Sequence, residues 1–157
     1  ANGLVGAAYR IRTMYGEIIC DGCHSTPAAL NNYFMSKGPD YSIMISDALM
    51  AKGTPVGSKY IFGGNEIVIY PDGSAHLTST GGLAGSTLNI NKGLKILVED
   101  AMVPFNYALN ACTINPARCL HLDDRKGSIQ IGKDADLVVL DDNYDVLQTY
   151  CMGKAQL

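Results

Sequence analysis

The sequence has no basic run, no long apolar segment and few charged residues, and each shortage excludes a class of protein. Lysine and arginine number 12 against 15 aspartate and glutamate residues, a net charge of −3 without the basic face of a dedicated nucleic-acid binder. No apolar stretch approaches the roughly 18–20 residues that span a bilayer, and no leader of basic, apolar and small residues opens the chain. We therefore expect no nucleic-acid partner and no membrane association.

Cysteine occurs five times, an odd number, and the five residues are dispersed along the chain. Secreted disulfide frameworks use paired cysteines, so this pattern favours a reducing cytoplasm. Apolar residues, in contrast, are abundant: 47% of the 157 residues are hydrophobic and only 17% are charged. This composition excludes disorder and predicts a sizeable buried core.

The first third of the chain has the pattern of a strand, a helix and a second strand. Tyr15–Cys20 and Tyr41–Ser46 are short apolar runs, typical of strands covered on both faces. Between them, Thr26-Pro27 predicts an N-cap with proline at the first helical position, and Ala28–Lys37 predicts a helix that ends at Gly38. The spacing predicts a right-handed unit with parallel strands. Two such strands cannot form a covered sheet alone, so we expect further strands upstream.

The rest of the chain passes from strands to helices and back to strands. A β excursion is predicted within Gly57–Leu77, with strands at Tyr60–Phe62, Glu66–Tyr70 and Ala75–Leu77. Helices are predicted over Leu88–Asp100, over Pro104–Ala111 and from Asn115, with Pro116 at the first helical position. The end of the chain is predicted to be all β, with strands at Ser128–Ile131, Asp136–Leu140 and Val146–Cys151.

One cysteine pair has a spacing that is used in several kinds of site. The run from Cys20 to His24 is a formal C-x-x-C-H, which occurs in c-type haem attachment, and a C-x-x-C pair can also serve redox chemistry or zinc binding. Haem attachment needs an oxidising, exported context, and no export signal is present. Cys20 also ends an apolar strand, where a buried structural thiol is expected. We therefore favour a coincidental spacing.

His24 and Asp47 follow the ends of the two predicted parallel strands. Sites in α/β proteins are built at that edge, where a carboxylate can transfer protons and an imidazole can bind or polarise a substrate. A capping aspartate and a hydrogen-bonded histidine are the alternative, but equivalent positions in consecutive units favour function. The glycine-rich segment at Leu83-Ala84-Gly85 precedes a helix, so its amides could face a ligand. It lacks the lysine and spacing of a phosphate loop, and a flexible loop is the alternative.

Several motifs together resemble a known family. The segment Gly127–Leu140, with Ile131-Gly132-Lys133-Asp134-Ala135-Asp136 at its centre, resembles the C-terminal signature of the amidohydrolase superfamily, and Asn115-Pro116-Ala117-Arg118 matches its usual companion. Four further motifs narrow the resemblance to the N-acetylglucosamine-6-phosphate deacetylase family: Gly3-Leu4-Val5-Gly6-Ala7, Asp21-Gly22-x-His24, Ser46-Asp47-Ala48 and Leu83-Ala84-Gly85-Ser86. They occur in the order of that family and at about its spacing.

The resemblance implies an α/β fold in two parts. Residues 1–126 would be the C-terminal portion of a metal-dependent (β/α)8 TIM-like barrel, contributing its last two strands and helices, with a β-hairpin insertion at about 57–80. Residues 127–157 would be the C-terminal strands of a small β-sandwich domain. The chain would then be less than half of the usual length of the family.

The implied reaction is hydrolysis of the acetamide of N-acetylglucosamine-6-phosphate to glucosamine-6-phosphate and acetate. By resemblance, Asp47 is the catalytic residue, which takes a proton from a metal-bound water and returns it to the leaving amine. His24 matches a substrate-binding histidine on the phosphosugar side. The other implied substrate-binding residues are Asp21, Gly22 and Cys23 on the same loop, and Leu83, Ala84 and Gly85, whose backbone contacts the sugar.

The resemblance also implies a divalent metal, zinc or iron, held by a glutamate and two histidines that have no counterpart here. We expect no metal ligand, no cofactor and no catalysis in this chain alone. A phosphate site shared between subunits implies a homodimer. Two alternatives remain open: another amidohydrolase, dihydroorotase-like or adenine-deaminase-like, that shares the Gly127–Leu140 signature, or a non-catalytic binding or structural fragment in which Asp47 is a cap.

Overall fold

A computed structural model describes residues 3–156 as a mixed α/β arrangement with three small sheets. Ala1, Asn2 and Leu157, which the predicted domains include, lie outside the described residues. The helices are α1 (Gly3–Arg10), α2 (Pro27–Lys37), α3 (Ile90–Lys95), α4 (Phe105–Cys112) and α5 (Ile114–Cys119), with a π-helical turn at Ile96–Asp100. The strands are β1 (Gly16–Ile19), β2 (Ser42–Ile45), β3 (Lys59–Phe62), β4 (Asn65–Ile69), β5 (Ala75–Leu77), β6 (Leu137–Leu140), β7 (Val146–Cys151) and β8 (Lys154–Gln156).

The predicted strand–helix–strand unit is confirmed. Strands β1 and β2 are parallel, and Gly16 pairs with Ser42 at the start of the ladder. Helix α2 begins as predicted, because the Thr26 hydroxyl accepts a hydrogen bond from the Ala29 amide at 3.3 Å and Pro27 is the first helical residue. It ends where Gly38, at a φ of 75°, takes the left-handed conformation that glycine adopts without a steric penalty.

The main hydrophobic core lies between α2, the β1–β2 pair and the helices after residue 90. Leu30 and Phe34 of α2 are fully buried in it, together with Leu97 of the π-helical turn. A second, smaller core lies under the β3–β4–β5 sheet and contains Ile67 and Ile69. This sheet is antiparallel in chain order, as predicted for the excursion. It therefore has its own apolar core, against which Leu49 and Ala84 also pack.

Three predictions about the helices and the end of the chain need correction. Helix α3 begins at Ile90 rather than Leu88, and it continues as a π-helical turn. Pro116 is the third residue of α5 rather than the first, because the helix begins at Ile114. Ser128–Ile131 is not a strand, and among residues 3–156 no strand pairs with it. The Lys133 ammonium donates to the Ser128 hydroxyl at 2.7 Å and closes this segment into a loop instead.

The final strand, β8, was not predicted from the sequence. It pairs antiparallel with β7 through a two-residue turn at Met152 and Gly153, whose φ angles are 51° and 76°. Positive φ at both central residues is typical of a type I′ hairpin turn, and glycine at the second is the signal that the sequence offered. Within residues 3–156, no helix combines the length and the apolar character needed to cross a bilayer.

Candidate active site

The loop after β1 is organised around the carboxylate of Asp21. One carboxylate oxygen, Oδ1, accepts hydrogen bonds from the backbone amides of Cys23 and His24, both at 2.9 Å. The other, Oδ2, lies 2.8 Å from Nδ1 of the His24 ring. Gly22 supplies the turn, with a φ of 77°. The predicted residues Asp21, Gly22, Cys23 and His24 therefore form one hydrogen-bonded unit.

This geometry sets the charge of Asp21 and the orientation of His24. Burial raises the pKa of the Asp21 carboxyl, but the hydrogen bonds from the His24 backbone, the His24 ring and the Cys23 amide outweigh it, and the net pKa lies below its usual value. The resulting carboxylate can only accept, so Nδ1 of His24 carries the proton that it donates. With Nδ1 engaged, Nε2 is the ring atom that can face a ligand, and the side chain is 23% exposed.

Asp47 follows directly after β2 and has an unusual backbone conformation. Its φ is 45°, in the left-handed region that disfavours residues with a Cβ, and its side chain is exposed. The backbone is held by Ser86, whose amide donates to the Asp47 carbonyl at 2.9 Å. The Leu49 amide donates in turn to the Ser86 carbonyl at 2.9 Å, so Ala48 and Ser86 lie side by side as a parallel bridge. The carboxylate thus projects from a fixed backbone.

Ser86 joins the two loops, and its role was not predicted from the sequence. Its side chain is buried, with 1% of its surface exposed. The hydroxyl donates to Oδ2 of Asp21 at 3.3 Å and accepts from the Leu88 amide at 3.0 Å. Through its backbone it contacts Asp47, and through its side chain it contacts Asp21. The sequence signal was its place at the end of the Leu83–Ser86 motif, but only the tertiary contacts reveal the connection.

The glycine-rich segment Leu83-Ala84-Gly85 lies immediately beside Asp47 in space. Leu83 bridges to His76 of β5, and the Ala84 amide donates to the Ala75 carbonyl at 2.9 Å. Gly85 has a φ of 67°, and a Cβ added there would come within 2.7 Å of the Leu49 side chain. Only glycine fits this close approach without a shift of its neighbour. The predicted loop, the Asp21–His24 unit and Asp47 therefore lie at one edge of the molecule.

The profile of the Amidohydrolase family matches residues 9–155, which is nearly the whole chain. The chain belongs to the amidohydrolase family. The resemblance that the motifs indicated is confirmed.

The relatives that this chain resembles are named as deacetylases of N-acetylated amino-sugar phosphates. The N-acetylglucosamine-6-phosphate deacetylase of Bacillus subtilis (strain 168) is 38% identical over 152 residues, which are 97% of this chain and 38% of the relative. The putative N-acetylgalactosamine-6-phosphate deacetylase of Escherichia coli (strain K12) is 34% identical over 97% of this chain and 89% of its own length. A crystal structure of N-acetylglucosamine-6-phosphate deacetylase from Pasteurella multocida superposes with a TM-score of 0.90 at 27% identity, covering 98% of this chain and 39% of that one.

The cysteines of this amidohydrolase chain do not form a reactive pair. Cys20 is fully buried, and burial strongly raises the pKa of its thiol. Cys23 is exposed, and desolvation followed by the Asp21 charge raises its pKa as well. Haem attachment and redox exchange both need an accessible, reactive sulfur, so the burial of Cys20 supports the coincidental interpretation of the C-x-x-C-H spacing.

The Asn115-Pro116-Ala117-Arg118 motif supports the fold at a distance from the site. Asn115 is fully buried, and its side-chain amide donates to the carbonyls of Pro39 and Ser42, both at 2.9 Å. Arg118 pairs with the exposed Asp40 at 3.2 Å. The motif thus ties α5 to the start of β2 and is structural.

The family implies a metal ion, and residues 3–156 do not provide a site for it. No group of three or more His, Cys, Asp or Glu side chains that could hold a metal ion occurs within residues 3–156. His76 lies in the β3–β5 sheet and His121 follows α5. We therefore assign no catalytic step to a metal on this chain.

Asp21→Asn is expected to reduce the free energy of unfolding by about 1–2 kcal/mol at pH 7, since hydrogen bonds to a charged acceptor become bonds to a neutral one. The pKa of Asp21 is lower in the folded state than the roughly 3.9 of an unfolded aspartate. Its contribution is therefore complete above that value and is lost as the pH falls through the folded-state pKa. Urea unfolding of both proteins at a series of pH values should show the difference shrinking below about pH 4. A difference that is constant with pH would contradict this assignment.

Proposed function

We propose that this amidohydrolase chain is part of an enzyme that hydrolyses the acetamide of N-acetylglucosamine-6-phosphate, giving glucosamine-6-phosphate and acetate. The observation that supports it most directly is the connection of Asp47 to the Asp21–His24 pair through Ser86. This connection brings a proton-transfer group, an oriented imidazole and a backbone loop together at one edge of the molecule. The names of the B. subtilis and P. multocida relatives support the same substrate.

In this proposal, Asp47 is the general base and then the general acid. It accepts the proton of the water whose oxygen adds to the acetamide carbonyl carbon. It then donates that proton to the amine nitrogen as the C–N bond breaks, so acetate and the free amino sugar leave. The exposed carboxylate on a fixed backbone suits both transfers, because it can approach a bound substrate without rearranging.

The phosphosugar would be held by the two loops beside Asp47. His24 would use Nε2, the ring atom that Asp21 leaves available, towards the phosphosugar, with Asp21, Gly22 and Cys23 forming the turn that carries it. Leu83, Ala84 and Gly85 would contact the sugar through backbone groups. Gly85 packs closely against Leu49, which fixes the position of the backbone that would make these contacts.

The proposal also covers the architecture of the protein. The chain spans 38% of the length of the B. subtilis relative and 89% of the length of the E. coli K12 relative. We propose that residues 1–126 are the last two strands and helices of a (β/α)8 barrel with the 57–80 hairpin insertion, and that 127–157 belong to a small β-sandwich domain. The parallel β1–β2 pair supports the first part. A cytoplasmic homodimer is proposed as well, and five free cysteines are in keeping with a reducing compartment.

A substrate panel tests the proposed reaction on the longest protein that contains this chain. The panel contains N-acetylglucosamine-6-phosphate, its galactosamine epimer, dihydroorotate and adenine. The epimer is included because the E. coli relative is named for it. Acetate release from the glucosamine compound, at the highest kcat/KM of the four, supports the proposal. Turnover of dihydroorotate or adenine with no release of acetate would overturn it.

A further inference from the structure

A second hydrogen-bonded group lies in the β3–β5 sheet, outside the residues assigned above. His76 of β5 stacks on the ring of Tyr70, with centroids 4.0 Å apart and an interplanar angle of 15°. Its Nε2 lies 2.8 Å from the Ser74 hydroxyl, which donates to the Asp72 carboxylate at 2.5 Å. The stacking contact with Tyr70 and the hydrogen bond at Nε2 together hold the His76 ring in one orientation.

The remaining ring nitrogen of His76 holds the backbone of the neighbouring turn. Nδ1 lies 2.8 Å from the carbonyl oxygen of Gly81, and since a carbonyl can only accept, Nδ1 donates. The Ser74 hydroxyl lies between Nε2 and the Asp72 carboxylate and contacts both. The chain of bonds then runs from Asp72 through Ser74 and His76 to Gly81.

The turn that His76 holds is intrinsically flexible. Gly81 and Gly82 are consecutive glycines, Gly81 has a φ of 71°, and both residues are exposed. Consecutive glycines have the largest conformational freedom of any dipeptide, so such a turn needs anchors to keep one conformation. Two backbone bonds between Leu77 and the turn, each 2.8 Å, and the His76 side chain supply them.

We infer that His76 is a positioning residue for the Leu83–Gly85 loop. By binding the Gly81 carbonyl it fixes the point from which this loop starts, and Leu83 itself bridges to His76. The inference about sugar binding rests on the proposed function, because it assumes that the loop contacts the phosphosugar. The tie between His76 and the loop does not depend on the substrate, so the two parts can be tested separately.

Three substitutions separate the contributions of the two ring nitrogens. His76→Phe keeps a ring that can stack on Tyr70 and removes both nitrogens. His76→Asn places an amide near the position of Nδ1, and His76→Gln places one near the position of Nε2. The matched control is His121→Asn, a histidine after α5 whose φ of 56° asparagine tolerates well.

Amide hydrogen exchange of the 157-residue chain tests directly whether the His76 side chain holds the Gly81 turn. In His76→Phe, exchange of the Gly81 and Ala84 amides should quicken by about tenfold, the size expected for one lost hydrogen bond. His76→Asn should restore most of the protection. His76→Gln should exchange as fast as His76→Phe, and the His121→Asn control should exchange like wild type. Unchanged exchange in His76→Phe, or restoration by Gln and not by Asn, would overturn the inference.

Kinetics of the longer enzyme test the consequence for substrate. His76→Phe should raise KM for N-acetylglucosamine-6-phosphate by about tenfold with kcat changed by less than about threefold, since a binding loop is loosened and no reacting group is removed. His76→Asn should return KM towards wild type. An unchanged KM in His76→Phe would overturn the role in sugar binding. A wild-type enzyme that turns over neither phosphosugar would overturn the proposed function, and the exchange data would still decide whether His76 holds the loop.

Discussion

Asp47→Asn is expected to lower kcat of the longest protein containing this chain by about 10²–10⁴-fold, the range for loss of a general acid–base group. KM should stay close to wild type, because the proposed sugar contacts come from other residues. Asparagine has almost the same shape as aspartate and tolerates the left-handed φ of 45° that this position requires. The fold and the backbone bonds with Ser86 should therefore persist, and the measured loss reports proton transfer.

Asp40→Asn is the matched control for this experiment. It makes the same chemical change at an exposed carboxylate that pairs with Arg118, outside the candidate site. Surface pairs of this kind contribute about 0–1 kcal/mol to stability, so its kcat should equal that of wild type. Steady-state kinetics and thermal unfolding of both variants complete the comparison. An Asp47→Asn enzyme that keeps most of its kcat would contradict the catalytic assignment.

The purified 157-residue chain is expected to show no deacetylase turnover above that of buffer. A carboxylate alone is a weak base towards bulk water, whose pKa is about 15.7. Residues 3–156 contain no group of three or more His, Cys, Asp or Glu side chains that could hold the metal ion implied by the family resemblance. Elemental analysis of the dialysed chain should accordingly give well under one equivalent of zinc or iron.

The prediction is checked by measuring acetate release from N-acetylglucosamine-6-phosphate. The assay is run with and without added zinc or ferrous iron. A longer protein containing the same chain, assayed in parallel, is the positive control. Turnover by the 157-residue chain that a chelator and Asp47→Asn both abolish would contradict the prediction. Such a result would mean that this segment assembles a complete site by itself, for example between copies of the chain.

Local signals in the sequence were sufficient for most elements. The Thr26-Pro27 start and the Gly38 end of α2 were predicted because capping depends on the residues next to the helix end. The three strands of the excursion were found because apolar alternation and the Pro71-Asp72-Gly73 turn are also local. The prediction of a strand at Ser128–Ile131 was wrong for the opposite reason. A strand needs a partner strand, and the pattern of one segment does not show whether a partner exists.

For the site, the sequence by itself determined the candidate residues and the family, because strand ends and motif spacing are properties of the chain order. The profile match over residues 9–155 confirms the family, while the individual roles remain predictions. Only the tertiary structure decided how those residues are connected. Ser86 lies 65 residues after Asp21 and is far from Asp47 along the chain, yet it binds both. Contacts of this kind depend on how strands and loops pack, and no local pattern encodes them.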